Sequence, residues 1–278
     1  MTASTVKLTR HGQGDLGARD WGKEGDGLYA SARHLWASAL VQTRRFERHQ
    51  DLHTIRKSIN KAIIVNAAFP KASVLLIGYC VEMYLKGGLT KQLIGCADDV
   101  FRSTLKSYSH SYDKLAKDLI GELSSEHRDD LKALSNFVLN DARYPVEAST
   151  NEEYVDKTNR RAQAIYSGQA FRRYCRLAKQ IRARIAKIDN DRSNPCSTSH
   201  WKIDHDGYLC YRYGGNLPRR ITYRRCTASA TEGPVIWQEV ADLITDNGVI
   251  IPGSLHFYEI YVDHEKNGKR ALKRLHKE

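Results

Sequence analysis

No run of apolar residues in the sequence approaches the ~20 that a membrane-spanning helix needs, so we expect a soluble protein. The first residues carry basic side chains but lack the apolar core of a secretory signal, so we expect no export and a cytoplasmic location. The six cysteines include no C-x-x-C pair, and a chain of 278 residues needs no disulfides to hold its core. Reduced thiols are therefore the simplest expectation.

Metal-binding and cofactor-binding motifs are also lacking. Five residues near the C-terminal third could supply zinc ligands by type: Cys196, His200, His205, Cys210 and Cys226. Their spacing lacks the paired cysteines of structural zinc sites. No glycine-rich loop follows a predicted strand, and no Ser or Cys stands in a nucleophile elbow. We therefore expect no metal and no cofactor.

Acidic residues are missing from one long basic segment. Between Lys157 and Lys187 there are ten Lys or Arg residues and no Asp or Glu, in a chain whose formal net charge is +12. A surface of one sign attracts polyanions, and each phosphate that it neutralises releases counterions. The segment predicts a nucleic-acid interface, with a solvated helix face as the alternative.

The hydrophobic period changes along the chain. Up to about residue 188 apolar residues recur every three or four positions, as in amphipathic helices, and beyond residue 199 they alternate as in strands. We therefore predict an α+β protein with four parts: a flexible arm over 1–25, an all-α helical bundle over 26–188, a linker over 189–199 and a small mixed α+β domain over 200–278.

Within the bundle, the first helix is expected to begin at Leu28, after a glycine-rich stretch. The second is expected over 71–93, because Pro70 can open a helix but is poorly tolerated inside one. The last helix is expected over 151–188, after a Ser or Thr followed three residues later by an acid.

The predicted C-terminal domain interleaves tyrosine with arginine. A hairpin is expected over 201–213, followed by strands at 220–223, 249–251 and 255–262. The mixture could stack bases and hold phosphates, or alternation could place Tyr in a core and Arg outside, and both interpretations stay open. The residues are Tyr208, Tyr211, Arg212, Tyr213, Arg219, Arg220, Tyr223, Arg224 and Arg225.

The second helix carries ionisable side chains among apolar neighbours. Glu82 and Lys86 are four residues apart, which is an ion-pair spacing. A buried charge is costly unless it is paired, so Glu82 needs a partner such as Lys86, His110 or Arg143. These residues either form a buried polar network that holds the helix against Arg143-Tyr144-Pro145, or bind a ligand directly. Arg143 could instead point into a cleft and meet phosphate.

Three segments together carry a family resemblance. They are the Gly, aromatic, Glu and Leu-Lys pattern over 78–87, His110 ahead of the leucines at 115 and 119, and Ala142-Arg143-Tyr144-Pro145. Over about residues 28–188 the chain resembles the HEPN family of small helical domains. That resemblance implies a helical bundle that forms homodimers and works on RNA in toxin–antitoxin or antiphage defence. It also implies an antitoxin or a nucleotidyltransferase as possible partners.

HEPN members that cleave RNA carry an arginine followed a few residues later by a histidine in the last helix. The histidine moves a proton and the arginine offsets developing phosphate charge. The segment 151–188 contains no histidine, and the spacing occurs instead as Arg44 with His49. Catalysis by this pair is therefore the alternative to simple binding.

The function that we predict is binding of RNA or another nucleic acid. Its predicted phosphate-binding residues are Arg143, Arg160, Arg161, Arg172, Arg173, Arg176 and Lys179. One alternative is a metal-independent endoribonuclease that uses Arg44 and His49. The other is a protein-interaction or dimerisation module that docks on an acidic partner.

Overall fold

The computed structural model describes most of the chain: residues 8, 12, 14–48, 52–142, 144–226, 228, 233–266 and 269–276, with only the backbone at 46, 47, 52–64, 266 and 269. Helices occupy the first two-thirds and a five-stranded sheet occupies the last third, so the predicted α+β class is confirmed.

Seven of the described α-helices precede the sheet and an eighth lies between its strands. They are α1 (Ala18–Arg48), α2 (Leu52–Gln92), α3 (Asp98–Tyr108), α4 (Tyr112–Ile120), α5 (Ser125–Asn136), α6 (Asn151–Tyr166), α7 (Gly168–Lys187) and α8 (Trp237–Asp246). A π-helical turn, Phe137–Asp141, continues α5.

The sheet strands follow chain order, and the predicted hairpin is its first pair. The strands are β1 (Ser197–Ile203), β2 (Gly207–Tyr213), β3 (Arg220–Arg224), β4 (Glu259–Lys266) and β5 (Lys269–Leu275). All neighbours are antiparallel except β3 and β4, which are parallel and are joined through α8. A parallel pair needs such a crossover because the chain must return to the same end of the sheet.

By contact, the residues group into two compact units. A bundle unit contains Trp21–Leu85 and His110–Ala183, and a sheet unit contains Lys86–Ser109, Arg184–Glu278 and the described part of the first twenty residues. The helices α1, α2 and α7 each contribute residues to both units.

The sheet unit has an apolar face and a polar face. Side chains that alternate along β2 and β3 pack with α8 in a buried cluster: Leu209, Tyr211, Ile221, Tyr223, Val240, Ile244, Tyr258 and Ile260. On the opposite face, Cys96 and Cys210 lie 3.8 Å apart between their Sγ atoms. Period-two alternation thus explains Tyr211 and Tyr223 as core residues of the apolar face, whereas Tyr208 is buried on the polar face and donates to Asp263 at 2.8 Å.

Two arginines of the same strands, Arg212 and Arg224, are buried on the polar face beside carboxylates, and Arg220 is buried there with its Nε donating to Thr222 Oγ1 at 3.2 Å. Arg212 is 2% exposed, is paired with Asp189 and donates to the Lys91 carbonyl at 3.0 Å. Arg224 donates to Asp206 at 3.1 Å. Since buried charges must be paired, these arginines are parts of the fold.

In the bundle unit, α2 is the central helix, with Val74, Ile77 and Val81 almost completely buried. By length and composition its segment Val65–Gln92 could cross a membrane, but 56% of its apolar window is buried inside the protein. The same helix contains Pro70, contrary to the prediction that it begins there. Proline removes one backbone donor, and the burial of Pro70 itself offsets that loss.

Helix α1 begins at Ala18, although its glycines favoured an arm up to residue 25. Gly25 is inside the helix because it packs against another side chain. A Cβ at this position would lie 2.4 Å from Cε1 of Tyr84, whose hydroxyl donates to Asp26 at 2.8 Å. Close packing therefore compensates the low helix propensity of glycine.

Three further expectations are corrected. The segment predicted as one helix over 151–188 is two helices, because Ser167 ends α6 and caps α7 by accepting from the Ala170 amide at 3.2 Å. Residues 249–251 form no strand, and 255–257 form a 3-10 turn before β4. The capping box that opens α6 is confirmed, since Thr150 accepts from the Glu153 amide at 3.1 Å.

We expect Gly25→Ala to lower the free energy of unfolding by about 1–3 kcal/mol, because the added methyl group collides with the Tyr84 ring. Gly27→Ala is the matched control, since a Cβ there meets nothing within 4 Å. That control should gain up to about 1 kcal/mol of stability from helix propensity. Urea unfolding of both variants tests this, and equal effects would contradict the packing account.

Candidate nucleic-acid interface

Helix α7 turns one apolar face inward. Its buried residues Phe171, Tyr174, Leu177, Ala178 and Ile181 recur at helical spacing. Trp36 of α1 stacks on Phe171 with ring centroids 4.3 Å apart. This packing fixes the outward face of the basic segment.

Two arginines on the flanks of α7 are held by carboxylates. Arg173 makes three hydrogen bonds to Asp130 of α5, the shortest 2.8 Å, and the Asp130 side chain is only 6% exposed. These bonds keep the pKa of the Arg173 guanidinium above its ordinary value. Arg182 likewise donates to Asp26 at 3.0 and 3.1 Å.

Between these flanks, Arg172, Arg176 and Lys179 are exposed. With about 3.6 residues per turn, the three positions fall within an arc of about 60°. No acidic side chain among the described residues lies within ion-pair distance of them. The Lys179 ammonium lies 5.9 Å from the centre of the Tyr29 ring, which shows it on the α1 side of this face. We call these three residues the α7 basic face.

The other predicted phosphate-binding residues lie on α6 and before it. Arg160 is exposed and, within the described ranges, makes no ion pair. Arg161 donates to the Tyr144 carbonyl at 3.1 Å. Burial lowers the pKa of the Lys71 ammonium, and the Arg161 charge lowers it further. Arg143 lies outside the described residues.

A cavity of about 460 Å³ adjoins Arg160 and Arg161. The π-helical turn contributes Asn140 and Asp141 to its lining, and Tyr144 and Lys157 also line it. Sequence reasoning singled out Tyr144 and the two arginines but missed the turn. No simple residue pattern distinguishes a π-helical turn from the end of an α-helix.

Glu82 lies in a polar network of the bundle unit. Its carboxylate accepts from His110 Nδ1 at 2.9 Å and from the Tyr112 hydroxyl at 3.1 Å. The His110 carbonyl in turn accepts from Ser135 Oγ. Lys86, which the sequence grouped with them, lies one turn along α2 and is partly exposed. The structure thus brings Glu82 and His110 together, as the network interpretation requires.

The alternative catalytic pair falls at the end of α1. Arg44 is exposed there, and His49 lies outside the described residues. In the part of the chain that the structure describes, no three His, Cys, Asp or Glu side chains converge as metal ligands.

The chain matches no protein-family model, no curated protein and no solved structure. The HEPN resemblance therefore stays a prediction, and the case for a function rests on the site itself.

Arg173 and Arg172 are neighbours with different expected roles. Arg173→Ala leaves the buried Asp130 carboxylate without its donors, so it should lower the free energy of unfolding by about 1–3 kcal/mol. Arg172→Ala removes an exposed side chain and should change the free energy of unfolding by no more than about 0.5 kcal/mol. Urea unfolding of the two variants measures the difference, and equal losses would show that Asp130 does not depend on Arg173.

Glu82→Ala should destabilise the protein by about 1–3 kcal/mol, because it removes the carboxylate that accepts from His110 Nδ1 and from the buried Tyr112 hydroxyl. Glu82→Gln keeps an acceptor oxygen and should cost less. Thermal unfolding of both variants tests the network. If both variants unfold like the wild type, Glu82 has a role other than holding the bundle.

Proposed function

We propose that this chain is a HEPN-like RNA-binding protein of the cytoplasm, and that the α7 basic face is its main phosphate-binding surface. One observation supports the proposal above others. Three cations on successive turns of one helix face solvent with no acidic neighbour among the described residues.

The contrast within α7 favours an anionic partner over a merely solvated face. Arg173 and Arg182 are matched by carboxylates, whereas the residues between them are not. Like charges four residues apart, such as Arg172 and Arg176, destabilise a helix by roughly 0.2–0.5 kcal/mol. A bound phosphate backbone would remove that repulsion and release counterions.

The sheet unit contributes fewer exposed basic and aromatic side chains to such an interface than its composition suggested. Arg212, Arg220 and Arg224 are buried, and Tyr211 and Tyr223 belong to the core. The interface therefore centres on α7, with Arg160 of α6 as a further contact in the same unit.

The biological setting in this proposal is toxin–antitoxin or antiphage defence. It rests on the HEPN resemblance, as do the homodimer formed through the bundle and an antitoxin or nucleotidyltransferase partner. The phosphate-binding surface depends on the exposed cations of α7 and is independent of that setting.

The double reversal Arg172→Glu with Arg176→Glu should weaken binding to mixed cellular RNA at least about tenfold, because it repels phosphate at the centre of the face. It should also reduce the slope of log K against log salt concentration by roughly 1.5 units, because two phosphate contacts are lost. Fluorescence anisotropy with labelled RNA over a series of salt concentrations measures both.

The matched control is Arg128→Glu with Lys132→Glu. These residues are also exposed, also four apart on one helix of the bundle unit, and their reversal changes the net charge equally. The control should lose much less affinity. Equal losses would mean that only net charge matters, and undiminished binding by the first double variant would reject the α7 basic face.

A further inference from the structure

The cavity beside α6 combines three kinds of group that a nucleotide needs. Its volume of about 460 Å³ falls in the range of about 300–1,000 Å³ typical of ligand pockets. An exposed tyrosine, a cation without an ion pair among the described residues, and several polar acceptors all line it. The α7 basic face, by contrast, offers charge alone.

Tyr144 supplies the ring. It is 63% exposed, and its backbone carbonyl is held by Arg161 at 3.1 Å. A tyrosine fixed at its backbone and open on its side chain is a platform on which an unpaired base can stack.

Arg160 supplies the free cation. Lys157 also lines the cavity but is engaged with the Glu153 carboxylate at 2.6 Å and the Glu147 carbonyl at 2.9 Å. Arg161 donates to the Tyr144 carbonyl, which leaves Arg160 as the cavity cation with neither an ion pair nor a side-chain hydrogen bond among the described residues. A phosphate at this cavity is therefore expected at Arg160.

The π-helical turn supplies acceptors through a chain of hydrogen bonds. Asn140 Nδ2 donates to Asn136 Oδ1 at 2.8 Å, and Asn136 Nδ2 donates to Asp141 Oδ2 at 2.9 Å. Each of these amides thereby uses one of its two N–H donors within the turn. The acceptors that the turn offers to a ligand are the side-chain oxygen of Asn140 and the Asp141 carboxylate, and the carboxylate has two oxygens that can take two adjacent donors.

We propose that this cavity binds one unstacked guanine nucleotide of single-stranded RNA, an inference that rests on the proposed RNA binding. The base stacks on Tyr144, its phosphate pairs with Arg160, and its Watson–Crick edge donates to Asp141. Guanine fits because its N1–H and N2–H₂ are adjacent donors on one edge, as a carboxylate requires. Uracil presents one donor between two carbonyl oxygens, so one oxygen of the Asp141 carboxylate would face a uracil oxygen instead of a donor.

The test uses two fluorescein-labelled RNA heptamers, one of uridines alone and one with a single central guanosine, in anisotropy titrations of the full chain. Wild type should bind the guanosine heptamer about tenfold more tightly. Asp141→Asn keeps the shape and an acceptor for Asn136 but loses the carboxylate, so the preference should fall to about twofold or less.

Tyr144→Ala should weaken binding of the guanosine heptamer about tenfold, whereas Tyr144→Phe, which keeps the ring, should bind as the wild type does. Tyr166→Ala is the control, since Tyr166 is another half-exposed tyrosine that does not line the cavity. Circular dichroism confirms that each variant is folded.

The two proposals fail in different ways. Equal affinity of wild type for both heptamers, or a preference that survives Asp141→Asn, overturns the guanine pocket. If the RNAs still bind and depend on Arg172 and Arg176, the α7 basic face stands without the pocket. If neither heptamer nor mixed cellular RNA binds, the proposed function itself is wrong.

Discussion

The packing of the apolar face of α7, together with the ion pair between Arg173 and the buried Asp130 carboxylate, is the constraint on which the proposed interface depends. A carboxylate that is 6% exposed is costly unless it is paired, so this ion pair and the apolar packing together fix the rotation of α7 about its axis. The apolar residues of the helix then face the bundle. The cations that remain, Arg172, Arg176 and Lys179, can only point to solvent.

The requirement that buried charges be paired also applies in the sheet unit, where it leaves the arginines unavailable to a partner. Arg212 and Arg224 lie on a strand face that is covered, and each is matched by aspartate. Their charges are used to hold the fold and are not offered to a partner. Some of the basic residues that give the chain its net charge of +12 are therefore buried in ion pairs, and fewer of them are available at the surface than the composition suggests. Position in the fold, more than the number of basic residues, selects the candidate interface.

Local chemistry made much of the fold predictable. The capping residues before α6 and the alternating residues of the predicted hairpin carry signals that act over a few residues, and the structure has these elements. The errors occur where distant packing overrides local preference. Gly25 and Pro70 lie inside helices because each is packed against the rest of the unit. Ser167 divides the segment 151–188, which was predicted as one helix, into α6 and α7.

By itself the sequence determined the α+β class, the order of most elements and the segment in which basic residues gather, because composition and periodicity are properties of neighbouring residues. Only the tertiary structure decided which cations are free. Arg172 and Arg173 are adjacent and chemically identical, and one is exposed while the other is held by a carboxylate more than forty residues earlier. The cavity formed by Tyr144, Arg160 and the π-helical turn is likewise a product of three segments that meet only when the chain folds.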